Sequence, residues 1–445
     1  MASDLLSIAR SGAMAARIAL DVTAQNIANA SSHGYVRRSV RLAELASSGG
    51  FGRVGDVSLS GVRLDAVIRH ADSFRQAEVR RTGGDAARAA AELTGLRNIE
   101  TATEQTILYP AVVAFEASLE RLTADPVSSS LRAAVLEEAR TMVRTFNIAT
   151  QSLTSVSEGL RFEATDGVDQ VNLLGQEMAR VNLRLARASD ATSDQSALLD
   201  QRDNLLERLS GFADINTTFS ADDTVEVRLG GGAGPQLVMG GTATNLAMAT
   251  AANGTISFTL GGVPVTLAGG ALAGKAQALV AAFDTRTELD GIVDTLIAAT
   301  NAAQSGGVAL DGSPGQPLFS GSGAAGITLA LASGAGIATA PAGAAAGSRD
   351  PANLGALRGA IASNDIAGKL DSLLFGISSK VAGRAITNEA LSAIASSARI
   401  ALEAQSGVDL DAEAVNLIRF QQAFQASGKA MQVAGTLFDT LLAIR

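Results

Sequence analysis

The sequence ends in SGVDLDAEAVNLIRFQQAFQASGKAMQVAGTLFDTLLAIR (Ser406–Arg445), and this stretch decides the fold. Large apolar residues recur in it every seven positions, at Leu410, Leu417, Phe424, Met431 and Phe438. A second row stands three positions further on, at Phe420, Ala434 and Leu441. A seven-residue apolar repeat is typical of a helix that pairs with another helix along one face. The stretch therefore predicts a last helix that needs a partner helix.

The other end of the chain offers that partner. Two rows with the same seven-residue step run through it: Leu6, Ala13, Leu20 and Ile27, and Ala9, Ala16, Thr23 and Ala30. Ser3 and Asp4 are helix-start signals, so residues 3–30 are predicted to form one helix. Because both ends carry an apolar face that nothing else in the pattern buries, they predict a coiled coil between the ends of a polymer subunit. An ordinary coiled coil within one chain is the alternative that the periodicity leaves open.

Composition limits the class of protein. Of the 445 residues, 47% are hydrophobic and 18% are charged, which is enough to bury a core, and the length predicts at least two domains. The net charge of -9 argues against a nucleic-acid partner, since a phosphate-binding surface needs clustered Lys and Arg. The absence of cysteine excludes disulfides and thiolate metal sites. We expect neither a cleaved signal peptide nor a membrane span, because no long run of bulky apolar residues occurs.

Helical spacing dominates the first half of the region between the ends. It runs through residues 72–108, and Pro110 is predicted to close that helix. Asp125 and Pro126 are predicted to begin the next helix, with Asp as the cap and Pro in the first turn. Several neighbouring helices of this length predict a bundle.

The pattern changes near Asn216, where apolar residues begin to alternate with polar ones. Gly261 and Gly262 separate two such alternating runs and predict a two-residue hairpin turn. Residues 303–350 are rich in Gly, Ala, Ser and Pro and are predicted to be mostly loop. From about Asn353 the chain is predicted to be helical again.

The predicted fold class is mainly α with a β-rich insert, in an elongated multi-domain chain whose N- and C-terminal helices pair as a coiled coil. We predict a terminal assembly domain formed by 1–40 plus 406–445. A helical bundle domain is predicted from 41–215 plus 274–405, with an extended arm or hairpin at 41–70. A β-rich outer domain is predicted at 216–273, and the loop 303–350 is a candidate addition to it.

A search for catalytic chemistry finds no convincing site. The two histidines, His33 and His70, stand in no metal-ligand spacing. Glycines at 321, 323 and 326 spell G-x-G-x-x-G, but no clear strand precedes them and no helix pattern follows. Asp409, Asp411 and Glu413 resemble the start of a calcium loop without its later ligands, so we interpret them as favourable negative charge at the start of a helix. We predict no enzyme, no catalytic residue, no metal site and no cofactor.

N-I-A-N followed by G-Y occurs near the start of the chain, within SGAMAARIALDVTAQNIANASSHGYVRRSV (Ser11–Val40). This stretch resembles the N-terminal motif of the bacterial flagellar rod, hook and hook-associated proteins, N-I-A-N followed by G-Y or G-F, and Ser406–Arg445 resembles their C-terminal motif. Three further stretches resemble one branch of that superfamily, the hook-filament junction proteins or hook-associated protein 1 family. These are G-Y-x-R at Gly34–Arg37, LLDQRDNLLERLS at Leu198–Ser210 and TNAAQSGGVALDGSPGQPLF at Thr300–Phe319.

The sequence departs from the family pattern at a few positions. Arg38 stands where Gln is common, and His33 replaces the usual Pro or Thr. The chain is also short for the family, as expected if an outer subdomain is reduced or lost.

The resemblance implies a structural adaptor that forms a ring at the tip of the flagellar hook, joins hook to filament and permits filament assembly. The implied partners are further copies of the chain, the hook protein, the next hook-associated protein towards the filament and a flagellar export chaperone, without nucleic acid or membrane insertion. The implied location is extracellular, in the flagellum, after type III export without a cleaved signal peptide. A hook or rod protein is the alternative within this class, and a surface hydrolase or adhesin with flagellar-type ends is the alternative from another class.

The residues assigned to assembly come from the two apolar rows and the two terminal motifs. They are Leu6, Ala13, Leu20, Asn26, Ile27, Asn29, Gly34, Tyr35, Arg37, Leu410, Leu417, Phe420, Gln421, Phe424, Met431, Leu437, Phe438 and Leu441. The chaperone is expected to cover Leu417, Phe424, Met431 and Phe438 before export. Interfaces that form only on assembly also predict ends that stay unfolded in the monomer and fold on binding.

Overall fold

A computed structural model of the protein describes residues 2–32, 34–46, 59–188 and 192–443. The α-helices within these ranges are α1 (Ala2–Ala28), α2 (Ser73–Glu104), α3 (Leu108–Ala124), α4 (Ser129–Leu185), α5 (Ser193–Phe212), α6 (Gly270–Ser305), α7 (Gly323–Gly326), α8 (Ala352–Ser363), α9 (Ile366–Ser406) and α10 (Leu410–Ala443). The strands are β1 (Arg38–Ala46), β2 (Leu59–Arg69), β3 (Ile215–Phe219), β4 (Val225–Leu229), β5 (Gln236–Met239), β6 (Thr242–Ala243), β7 (Leu246–Thr250), β8 (Ile256–Leu260), β9 (Val263–Val265), β10 (Gly307–Val308), β11 (Phe319–Ser320), β12 (Thr328–Leu329) and β13 (Ala340–Pro341).

Helices account for most of the residues described, so the predicted class, mainly α with a smaller β portion, is confirmed. The coiled-coil character of the paired ends stays a prediction. No helix among the residues described is both long and apolar enough to cross a membrane.

The chain divides into two compact units, the first built from three stretches of sequence and the second from two. The first unit comprises Met1–Gly84, Val171–Asn245 and Ser392–Arg445. In it, β1 and β2 form an antiparallel pair, and β3, β4, β5 and β6 form an antiparallel sheet in that order. The odd-numbered residues of β4 are buried and the even-numbered ones are half-buried. This burial explains why apolar and polar residues alternate along the strand. Helix α1 contacts α10, β1 and β2.

The second unit comprises Asp85–Gln170 and Leu246–Leu391 and contains the larger apolar core. Aromatic and aliphatic side chains from α3, α4, α6, α8 and α9 meet there, and the rings of Phe115 and Phe319 pack edge to face with centroids 5.9 Å apart. The three-stranded sheet β7-β8-β9 belongs to this unit. The strands predicted near 216–273 are thus divided between the two units, while the three-domain division made from the sequence stays a prediction.

Predictions from local turn residues are correct for the hairpin at Gly261–Gly262 and wrong for the end of α2 and the start of α4. Gly261 and Gly262 take positive φ angles of 58° and 85° between β8 and β9, so the predicted two-residue hairpin is confirmed. Pro110 does not close α2, which ends at Glu104. It lies in the first turn of α3, where a missing N–H costs no helical hydrogen bond.

The helix predicted to begin at Asp125 begins later. Asp125 caps the C-terminal end of α3, and its carbonyl accepts a 3.1 Å hydrogen bond from the Ser128 N–H in a turn. Helix α4 then begins at Ser129. An Asp-Pro pair is as compatible with a turn as with a helix start. Here it forms the tight turn that connects α3 to α4.

The first three residues of the predicted loop at 303–350 are the end of α6, and residues 306–350 contain two-residue strands, one short α-helical turn and one 3-10 turn. Within the region predicted as an arm or hairpin at 41–70, residues 41–46 and 59–69 belong to the antiparallel strands β1 and β2. Residues 47–58 lie outside the described ranges.

Candidate functional site at the two chain ends

Helix α1 lies antiparallel to α10. The Asn26 amide donates a 3.1 Å hydrogen bond to Glu413 Oε1, and a Cβ placed on Gly12 would lie 3.9 Å from Ser427 Cβ. Going from Asn26 back to Gly12 on α1 therefore corresponds to going forward from Glu413 to Ser427 on α10, by the same number of residues. The last helix has its partner within the same chain.

Asn26 is the centre of a hydrogen-bonded cluster at this junction. Its Nδ2 donates to the Arg38 carbonyl at 2.8 Å as well as to Glu413. Its Oδ1 accepts from the Arg38 N–H at 3.1 Å and from the Tyr35 hydroxyl at 2.8 Å. Asn26 is 1% exposed and Glu413 is 3% exposed. One buried carboxamide thus joins α1 to the start of β1, to Tyr35 and to the first turn of α10.

Tyr35 is neutral in this arrangement. Burial raises the pKa of its phenol above the ordinary value, although the charge of Arg38 acts in the opposite direction. A protonated hydroxyl is the form that can donate to Asn26. Arg38 also stacks its guanidinium over the Tyr35 ring, 5.0 Å from the ring centroid.

Backbone hydrogen bonds tie the same segment to its surroundings. The Arg37 N–H donates to the Ser406 carbonyl at 2.9 Å, and the Arg37 carbonyl accepts from the His70 N–H at 2.9 Å. Asp409 then caps α10, because its Oδ1 accepts from the N–H groups of Asp411 and Ala412 at 3.0 and 3.2 Å. The chain therefore leaves α9 and enters α10 beside the end of its own first helix.

Two carboxylates of α5, those of Asp200 and Asp203, bind the β1–β2 pair. Arg38 and Arg69 are opposite one another in the β1–β2 register, and each donates to one oxygen of Asp200 at 2.7 Å. Arg69 also forms a 2.8 Å ion pair with Asp203, which accepts further hydrogen bonds from Arg202 and Gln76. These charges lie inside the first unit, where paired and hydrogen-bonded charges are far less costly than isolated ones.

The predicted assembly residues are distributed over three environments. Ala13 and Asn26 are buried, and a second group is half-buried: Leu20, Ile27, Asn29, Gly34, Tyr35, Arg37, Leu417, Phe420 and Met431. A third group is exposed: Leu6, Leu410, Gln421, Phe424, Leu437 and Phe438. The side chain of Leu441 and all of His33 lie outside what the structure describes.

The structure brings Asn26, Tyr35 and Arg37 together with the start of α10, but it adds partners that sequence reasoning missed. Arg69, Asp200 and Asp203 had no assigned role, although Asp200 and Asp203 lie in the stretch Leu198–Ser210 that the resemblance singled out. The sequence did hold a signal that Glu413 faces the partner helix. Its carboxylate stands in the same seven-residue row as the apolar residues Phe420 and Ala434. Within the described ranges no group of three or more potential ligands could hold a metal ion.

Comparison with known families agrees with this architecture. The profile described as "Flagellar hook-associated protein FlgK helical domain" matches residues 96–319. The profile "Flagella basal body rod protein" matches residues 6–35, and "Flagellar basal body rod FlgEFG protein C-terminal" matches residues 402–444. A mainly helical body between two rod-type ends that lie side by side defines a structural protein of the flagellum, not an enzyme. Within that class, the chain belongs to the flagellar hook-associated protein FlgK family.

Individual relatives are similar at moderate identity. Flagellar hook-associated protein 1 of Salmonella typhimurium is 26% identical over 337 residues, which are 72% of this chain and 59% of that protein. The protein of the same name from Bacillus subtilis is 28% identical over 243 residues, or 50% of this chain and 47% of that one. The chain thus spans about half to three-fifths of the length of these relatives.

A solved structure shares the fold. The flagellar hook junction protein FlgK from Burkholderia pseudomallei superposes with a TM-score of 0.50 at 22% identity, over 54% of this chain and 46% of that one.

Proposed function

We propose that the protein is a structural adaptor subunit of the bacterial flagellum that polymerises as a ring at the hook tip, joins hook to filament and permits filament assembly. The observation that carries this proposal is the match of residues 96–319 to the hook-associated helical domain, between ends that match rod-type families. Relatives named hook-associated protein 1 and a structure titled as a hook junction protein support the same position in the flagellum.

The apolar surface of α10 supports the proposed partners. Within the chain α10 packs on α1, yet large apolar side chains remain exposed along it: Leu410, Val415, Ile418, Phe424, Val433, Leu437 and Phe438. So many exposed apolar side chains along one helix favour an interaction with other proteins. We assign it to further copies of the chain, to the hook protein and the next hook-associated protein in the flagellum, and to an export chaperone before them. The chaperone would cover Leu417, Phe424, Met431 and Phe438, and the chain would reach its extracellular position without a cleaved signal peptide.

A hook or rod protein is the second candidate, and the descriptions of the two terminal families favour it. Those families match only the ends, residues 6–35 and 402–444, whereas the helical-domain family matches the body of the chain. A labelled copy of the protein separates the two candidates. We expect the label at the hook tip alone, and a label distributed along the hook or confined to the rod would establish the second candidate.

A charge on the exposed seam tests the assembly role. Phe424 is 43% exposed in the chain, so Phe424→Asp should lower the free energy of unfolding of the subunit by only about 1–2 kcal/mol. In an assembled interface the same carboxylate would be desolvated without a partner, which costs far more. We expect cells that carry Phe424→Asp, or Leu20→Asp on α1, to make hooks without filaments and to release flagellin into the medium.

The matched control is Gln422→Asp, which adds the same charge to α10 at a polar position on the side away from Glu413. It should leave filaments in place. Normal filaments on cells with Phe424→Asp and Leu20→Asp would contradict the proposal.

A further inference from the structure

Small residues of α1 occupy layers of its contact with α10. Layers along the contact pair Gly12 with Ser427 and Asn26 with Glu413, and the same alignment places Ala19 level with Phe420. Gly12 and Ala19 present almost no side chain, so α10 meets few projections on α1 that would stop it from shifting along the axis. Small residues permit close approach but specify an alignment weakly, because alignment is set by side chains that interlock.

A buried carboxylate stands in this contact where an apolar residue would bury more surface. Glu413 shares the seven-residue step of Phe420 and Ala434, and it is 3% exposed. If α10 moved by one turn, Glu413 would face Val22 or the end of α1 instead of Asn26. A buried charge without a partner is strongly unfavourable, whereas the observed alignment gives it a hydrogen-bond donor.

The orientation of the Asn26 amide is fixed by its other partners. The Arg38 N–H and the Tyr35 hydroxyl are both donors, so the atom that faces them must be the Asn26 oxygen. The amide NH₂ consequently points at the Arg38 carbonyl and at Glu413. Asn26 therefore offers a donor at one fixed position on α1, and only one alignment of α10 brings Glu413 to it.

We infer that Asn26 and Glu413 form a register lock, a pair of positioning residues that sets the axial alignment of the first helix against the last. A buried polar pair in a mainly apolar helix contact is a known means of fixing register at some cost in stability. The lock acts within one chain and is distinct from the contacts proposed for the ring. It also determines which residues of α10 remain outside and are available to a partner.

Disulfide trapping tests the register, because a cross-link forms only between cysteines that the alignment brings together. The protein has no cysteine of its own to interfere. The pair Gly12→Cys with Ser427→Cys places the two Cβ atoms about 3.9 Å apart, within the usual range for a disulfide. The pair Gly12→Cys with Ala423→Cys reports an alignment shifted by one turn, since Ala423 is four residues before Ser427. Both pairs are introduced into the full-length chain in three backgrounds: unchanged, Glu413→Gln and Glu413→Leu.

Glu413→Gln keeps the length of the side chain and an oxygen that accepts from Asn26, so the Ser427 pair should dominate as it does in the unchanged chain. Glu413→Leu keeps an apolar contact but removes the acceptor. We expect the ratio of Ser427 to Ala423 cross-links to fall by about tenfold, which corresponds to about 1.4 kcal/mol. A charge-assisted hydrogen bond is of that size or larger.

Two results would overturn the inference. Equal ratios in Glu413→Leu and in the unchanged chain would mean that the apolar contacts alone set the register. Loss of both cross-links in a Glu413→Leu chain that keeps its helical circular dichroism would mean that the pair holds α10 in place without selecting an alignment. Filament assembly is not read in this experiment, so its result and that of the ring proposal can be told apart.

Discussion

The Asp203 carboxylate lies inside the first unit and depends on its cationic neighbours to remain charged. Burial alone would raise its pKa, but the charges of Arg69 and Arg202 and hydrogen bonds from Arg202 and Gln76 outweigh burial and hold the pKa below its ordinary value. Because the folded form binds its last proton at lower pH than the unfolded form, Asp203 stabilises the fold above the ordinary carboxylate pKa of about 4. That contribution is lost as the pH falls through the lowered pKa of the folded state.

Asp203→Asn should therefore be costly at neutral pH. The substitution leaves Arg69 and Arg202 with one charged partner fewer, and removal of one member of a buried ion pair costs about 3 kcal/mol. Urea unfolding at pH 7 measures this loss. Asp169→Asn, at an exposed position on α4, is the control and should change the free energy of unfolding by about 0.5 kcal/mol or less.

The same variant has a pH signature. The unchanged chain should lose stability steeply below about pH 4, and Asp203→Asn should lose less over that interval because its side chain does not titrate. Parallel pH profiles for the variant and the unchanged chain would show that the carboxylate does not carry the effect.

At the scale of elements, Arg132 connects the start of α4 to the loop that precedes β13. Its side chain is 1% exposed, and the guanidinium donates to the carbonyls of Pro126 at 2.6 Å and Ile337 at 2.8 Å and to the Thr339 hydroxyl at 2.7 Å. Burial lowers the pKa of this guanidinium, and the three oxygens named above that accept from it are neutral. A segment rich in Gly and Ala has few side chains of its own to hold it, so side chains from outside it supply fixed points. Arg132 is one of them, and Gln304 and Asn353, which hydrogen-bond the backbone of Ala338, are others.

Arg132→Met should release that loop. The carbonyls that lose their donor are left buried, and each such group costs about 1–3 kcal/mol. We expect faster amide hydrogen exchange across residues 334–340 and a lower midpoint of thermal unfolding. Arg144→Met, at an exposed position on α4, serves as the control and should exchange at the same rate as the unchanged chain.

At the scale of the whole molecule, the ends and the largest core belong to different units. The second unit contains the extended apolar cluster that runs from Leu93 to Val381. In the first unit, α10 has its main contact with the single helix α1 and leaves much of its apolar surface uncovered. Fewer buried contacts mean a lower free energy for local opening, so we expect α1 and α10 to open more readily than the helices of the second unit.

Limited proteolysis of the isolated chain tests this difference. Mild digestion should remove segments from both ends first and leave a resistant fragment that contains residues 85–391, since cleavage needs an opened segment. Mass spectrometry of the fragments identifies the order of the cuts. First cuts within 85–170 or 270–300 would contradict the prediction.

Where a structural element depends on residues that are near one another in the chain, the sequence alone was sufficient to predict that the element forms. The Gly261–Gly262 turn formed as predicted because positive φ at both positions is a property of those two residues. The terminal helices were predicted from periodicity, since an apolar row on one face is visible without any partner. Pro110 and Asp125 were misplaced because each residue type suits more than one position near a helix end, and the neighbouring element decides between them.

By itself, the sequence determined that this is a mainly helical protein with a β portion, with flagellar-type ends and two apolar rows that need covering. Only the tertiary structure decided what Asn26 and Asp200 do, because their partners lie far away in the chain: Glu413 for Asn26, and Arg38 and Arg69 for Asp200. Periodicity and turn residues report interactions over one or two helical turns. A hydrogen bond between distant residues depends on the path of the whole backbone between them, and that path exists only once the chain has folded.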